Sequence, residues 1–306
     1  ATSLKFKKDI YKQKVPKGGA MVWIRRPSFA GSWYPKKESE VREEIAQMLK
    51  VAFPCPEDGK EPVGCIVPHA GWYYSGRLAL STLRCLSAGK RPDTVVLFGH
   101  HLAERYPNII MPKGIWQTPL GDLEIDSELG ERLLKEFRFE VESEYSHNPE
   151  NTIELQLPFI RYLFGEVKIL PMGIAPKEEN LTIGKRLVEL TKEMNRAVKV
   201  VGSTDLTHYG SNYGFMPAGR GEKAVKWVKE ENDKRIVELF LKMDPKAVME
   251  EAKERHNACC PGAAASAIEA SLRLGGNTAK VIGYHTSYDV LANESFVGYV
   301  GVVYYR

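Results

Sequence analysis

Short apolar runs, each closed off by glycine, proline or polar residues, recur along the chain and predict its strands. They fall at residues 64–67, 94–99, 167–173 and 197–203. Runs that are apolar at every position suit strands covered on both faces, rather than strands with one side in water. Between them the apolar residues recur at helical spacing: Val41, Ile45, Met48 and Leu49 share one face of a predicted helix over 38–51, which stops before Pro54. The same spacing predicts helices over 75–86, 127–137, 180–194, 222–242, 245–255 and 263–274, and one opening near Asn151 with Thr152 as its cap. Further strands are expected at 108–111, near Phe139, at 279–284 and at 295–305. Such alternation from end to end predicts a single α/β domain, a mixed central sheet with helices on both faces, over residues 21–306. The lysine-rich residues 1–20 read as an N-terminal extension.

Composition narrows the picture. A chain of 306 residues, 43% hydrophobic, has ample material for a large core. The net charge of +4 is mild and forms no long basic run, so no nucleic-acid partner is expected. No apolar run approaches the roughly 18 residues of a membrane span, and no apolar leader sits near the start. The five cysteines (Cys55, Cys65, Cys85, Cys259, Cys260) lack CxxC spacing and read as reduced thiols, which points to the cytoplasm.

The candidate chemistry lies where these strands end. His69 follows the run 64–67, His100 and His101 follow 94–99, and Asp205 and His208 follow 197–203. In an α/β sheet the carboxyl ends of parallel strands form the ligand crevice. Two imidazoles with one anionic ligand leave positions open for substrate or dioxygen, as in the two-histidine, one-carboxylate iron sites. A thiolate from the polar loop before residue 263, such as Cys260, draws the site towards softer iron, copper or zinc chemistry. His101 is expected to be the non-ligand of its pair, because successive residues on a strand end point opposite ways. Cys259 reads as a packed core thiol, and Asp205 and His208 as acid and base or as supports of the ligands.

Six stretches, in order, carry a resemblance. Ala30-Gly31-Ser32-Trp33-Tyr34-Pro35, Pro68-His69-Ala70-Gly71, Gly99-His100-His101, Thr118-Pro119-Leu120-Gly121-Asp122, Ile153-Glu154-Leu155-Gln156-Leu157-Pro158 and Ser203-Thr204-Asp205-Leu206-Thr207-His208-Tyr209 together resemble the Memo family from about Arg25 onwards. The resemblance implies an αβα fold similar to class III extradiol dioxygenases, the LigB-like non-haem iron enzymes. It implies His69, His100 and Cys260 as metal ligands, with Trp33 and His208 lining the same pocket and Asp205 beside it; His208 and Asp205 are then expected as the catalytic residues, and Trp33, Tyr209 and Asn151 as substrate-binding ones. Asn151 stands where many members carry histidine, in Glu150-Asn151-Thr152. Eukaryotic members are linked to cell motility downstream of a receptor tyrosine kinase, to phosphopeptide binding and to copper- or iron-dependent redox activity. Three functions are therefore expected as alternatives: an Fe(II) or copper oxidoreductase acting on a small molecule, a module binding a phosphorylated peptide in the same pocket, or a zinc hydrolase.

Overall fold

The computed structural model describes residues 22–56 and 59–306, and the expected extension over residues 1–20 lies outside them. Strands β1 (Pro62–Val67), β2 (Thr94–Gly99), β3 (Lys168–Gly173) and β4 (Val198–Ser203) run parallel, side by side in the order β1, β4, β2, β3. Beyond β1 lies the antiparallel β6 (Phe296–Tyr305), itself paired with β5 (Thr278–Thr286). The short strands Ile109–Ile110 and Glu140–Val141 extend the sheet beyond β3. Helices α1 (Glu38–Lys50) and α2 (Arg77–Ser87) cover one face, and α3 (Leu181–Glu193) and α4 (Pro261–Arg273) the other. The unbroken burial of β1, β2 and β4 follows from that double cover.

One close approach positions the site. A Cβ on Gly202 of β4 would lie 2.7 Å from the Ala267 Cβ and 2.9 Å from the Ala263 carbonyl oxygen of α4, so only glycine fits there. The alanine-rich face of α4 therefore sits directly on the carboxyl end of β4. Its entry loop is pinned there as well: the Cys259 N–H donates to the Asp205 carbonyl at 3.1 Å, and the Cys260 N–H to the Thr204 Oγ1 at 3.1 Å.

The structure departs from the sequence reading in three places. The helix near residue 151 is capped by Glu150, whose carboxylate accepts the N–H groups of Thr152 and Ile153 at 2.9 and 2.8 Å, while Thr152 lies inside the first turn. The long helix expected over 222–242 is interrupted by a wider turn at Val228–Asn232. Cys55 and Cys85 form a disulfide, their Cα atoms 5.3 Å apart, which ties the loop after α1 to α2. The cysteine count therefore does not argue for a reducing compartment. No helix among the described residues is long and apolar enough to cross a membrane.

Candidate metal centre

His69 lies two residues beyond β1 and is held at both ends. Its backbone N–H donates to Asp205 Oδ1 at 2.7 Å, and its ring Nδ1 lies 3.0 Å from Ser203 Oγ. The Ser203 hydroxyl spends its one proton on the Thr152 carbonyl at 2.7 Å, so at His69 it accepts. Nδ1 must then carry the hydrogen, and Nε2 is the atom turned towards the neighbours. That Nε2 lies 3.2 Å from His101 Nε2 and 3.2 Å from Cys259 Sγ, and Cys260 Sγ is 3.6 Å beyond. One donor atom from each of His69, His101, Cys259 and Cys260 lies within 4.8 Å of the rest. Metal–nitrogen and metal–sulfur bonds of ordinary length place neighbouring donors roughly 3.3–3.8 Å apart around a tetrahedral ion, close to these separations.

The electrostatics are those of an anionic sulfur among proton donors. Burial alone would raise the Cys259 thiol, but the Cys260 S–H, then His69 and His101, bring it well below its ordinary value. The Asp205 N–H also donates to this sulfur, at 3.3 Å. Cys260 is pushed the other way, well up, by burial and by its neighbour's charge. For His69, burial opposes the charged form, yet Asp205 and Cys259 prevail and hold the ring up to about 9. Burial raises the Asp205 carboxyl, and His69 offsets part of that.

His101, not the expected His100, reaches the cluster. His100 takes a left-handed backbone (φ 65°) as the chain leaves β2, its N–H donating to Thr152 Oγ1 at 2.8 Å and its ring 4.0 Å from Glu142. The alternation of side chains along a strand does not extend through a left-handed residue, which is why the ring that lies at the cluster is the one the parity argument set aside. Cys259, expected to be a core thiol, presents its sulfur to both imidazoles. Cys260, the expected ligand, is buried behind it yet within reach. Tyr209, expected on the substrate side, does not reach the cluster: it stacks on Phe296, donates to the Gly219 carbonyl at 2.8 Å and accepts from the Ala218 N–H, thereby anchoring the glycine-rich loop 210–221.

A cavity of about 600 Å³ opens onto His69, His101 and Asp205. Trp33, Asn151 and His208 line it, as do Tyr74, Tyr213 and Tyr299, which the sequence did not single out, and among the described residues its walls contain neither lysine nor arginine. Asn151 Nδ2 donates to the His69 carbonyl at 3.3 Å. His208 Nδ1 donates to the Leu206 carbonyl at 3.1 Å, which leaves Nε2 as the acceptor. A larger cleft of about 1090 Å³ lies beside Ile115 and Gly121, away from this cluster.

Behind the site, buried Asp233 accepts from the Thr207 N–H at 3.1 Å, from the Thr207 hydroxyl and from Tyr284 OH at 2.8 Å. Burial raises its carboxyl from 3.8 up to about 6. A carboxyl whose folded pKa is raised contributes stability that is complete below its unfolded pKa and lost as pH rises through the folded one. Relative to Asp233→Asn, wild type should therefore lose about 2 kcal/mol of stability between pH 4 and pH 7. Urea unfolding of both proteins across that window reads the difference, and parallel curves would refute it.

Comparison with known proteins gives a consistent picture. The family model described as Memo-like protein matches residues 25–303. The chain is 34% identical over 296 residues to a MEMO1 family protein of Thermococcus kodakarensis, covering 92% of this chain and 100% of that one. It is 33% identical to the counterpart in Pyrococcus abyssi, with the same coverage. A solved structure of an uncharacterized protein from Escherichia coli K12 superposes with a TM-score of 0.51 at 11% identity, over 79% of this chain and 99% of that one, and shows the fold alone.

Proposed function

The chain belongs to the family of Memo-like proteins, and from that premise we propose that it is a metalloprotein whose redox-active ion, iron or copper, is held by His69, His101 and Cys259 at the floor of the aromatic cavity. The observation that carries this reading is the convergence of two imidazole nitrogens and two sulfurs within 4.8 Å. The donor chemistry fits: imidazoles with a thiolate suit copper, iron or zinc and not the hard, oxygen-seeking ions. Such an ion supplies Lewis-acid and one-electron chemistry when bound.

The protein's own groups prepare the place. Ser203 keeps a hydrogen on the His69 Nδ1, so Nε2 is the nitrogen that would give up its proton to an ion, and Asp205 holds the same residue by its backbone. His208, with Nδ1 engaged, offers Nε2 to take a proton from a ligand in the cavity. Trp33, Tyr74 and Tyr213 give that ligand apolar surface. Zinc hydrolysis is the second reading: His69, His101 and Cys259 would leave the fourth position of a tetrahedral zinc open for water, whereas Cys260 Sγ as a fourth ligand would close it as in structural sites. Among the described residues, a phosphopeptide finds no guanidinium or ammonium in the cavity walls.

The test is the metal content of protein purified without chelator or metal-affinity tag, with an absorption spectrum for sulfur-to-metal charge transfer. About one copper or iron per chain with such a band is the expected result. Stoichiometric zinc without a band would sink the redox reading, and protein that binds none of the three after anaerobic reconstitution would sink both.

A further inference from the structure

Cys259 is approached from a second side. A separate cavity of about 390 Å³ is lined by Leu206, His208, Tyr213, Phe215, His256 and Cys259, with Ala252 and Ala258 between them. It shares His208 and Tyr213 with the first cavity, and those two rings meet edge to face with centroids 4.9 Å apart, forming the partition. The first cavity touches His69 and His101 but not Cys259, and the second touches Cys259 but neither of those histidines.

We propose that Cys259 is a site of thiol–disulfide exchange with small uncharged disulfides, which enter through this second cavity. The sulfur at its floor accepts from the Asp205 N–H at 3.3 Å, a backbone donor that steadies the attacking form, and lies 3.6 Å from the Cys260 sulfur. Among the described residues the lining is apolar apart from two imidazoles, the Tyr213 phenol and the Cys259 sulfur itself, and carries no carboxylate, ammonium or guanidinium, which suits a neutral reagent. In the exchange Cys259 Sγ attacks one sulfur of the disulfide and a new S–S bond forms as the old one breaks. The departing half leaves as a thiolate and takes a proton from water, so no further oxidant is needed.

Cys260 does not resolve the product. Adjacent Cα atoms are only about 3.8 Å apart, short of the roughly 4.4 Å at which disulfides ordinarily begin, so the mixed disulfide persists. Selectivity follows from access: Cys65 is enclosed within β1, Cys260 is buried, and Cys259 alone of the three free cysteines is partly open. The adduct occupies the sulfur that the metal reading uses as a ligand, but the inference does not depend on a bound metal.

The experiment incubates the folded, metal-free protein with bis(2-hydroxyethyl) disulfide and fragments the peptide that carries Cys259 and Cys260 in a mass spectrometer. One mercaptoethanol unit on Cys259 is expected. The rate should fall about tenfold in Ala258→Leu and in Ala252→Leu, which narrow the second cavity from two directions, with thermal melts verifying that each variant is folded. An adduct on Cys260, a Cys259–Cys260 disulfide, labelling only after unfolding in urea, or rates unchanged in both folded variants would each overturn the proposal.

Discussion

Replacing Cys259 by serine or His101 by alanine is expected to abolish stoichiometric metal binding, while His100→Asn leaves it close to wild type. The contrast follows from position. The two ring nitrogens that approach to 3.2 Å belong to His69 and His101, whereas the His100 ring faces Glu142. Losing an outer partner of a ligand typically costs roughly 10–100-fold in metal affinity, and losing a ligand itself costs more. Asparagine suits the control because it tolerates the left-handed backbone that His100 adopts. Cys260→Ala separates an open site from a closed one: a three-ligand site keeps its metal with a shifted charge-transfer band, and a four-ligand zinc site does not. Competition titration against a chelator of known affinity measures all four variants. Retention of metal by His101→Ala together with its loss from His100→Asn would restore the assignment drawn from the sequence and sink this one.

How much of this was legible depended on whether local pattern or distant contact decided it. The four parallel strands were legible because burial on both faces writes itself as unbroken apolar sequence. His69 and Asp205 were legible for the same reason, since each follows such a strand and β1 and β4 are neighbours. The choice between His100 and His101 was not, because it turns on one left-handed residue. Nor was the placing of the Cys259 and Cys260 sulfurs, which follows from Gly202 admitting α4 and from Thr204 gripping the Cys260 N–H. Glu150 left a signal that was passed over, an acidic residue just ahead of a helix start. The Cys55–Cys85 bond left none, since its partners are 30 residues apart and meet only through the packing of α2.

The largest effect on stability is expected from Glu142→Ala, for a reason tied to the same corner of the molecule. Arg25 is 2% exposed and its guanidinium lies 3.8 Å from the centre of the Trp116 ring, with NH1 donating to Glu142 Oε2 at 2.6 Å and NH2 to the Asn148 carbonyl at 2.8 Å. Removing the carboxylate leaves a buried cation without its counter-ion, a change that typically costs about 3–5 kcal/mol. Replacing both partners by apolar residues of similar volume, Arg25→Met with Glu142→Leu, should recover most of that loss, because neither charge is then left desolvated and alone. Urea unfolding of the single and double variants measures the cycle. The pair clamps the segment between Glu142 and Asn148 to the strand Ile24–Arg25, just ahead of Glu150 and Asn151. With the packing restored and neither residue reaching the metal-site cluster, the double variant should also bind metal as tightly as wild type. A double variant as unstable as Glu142→Ala would mean instead that the charges themselves, with the His100 ring 4.0 Å from Glu142, hold this corner together.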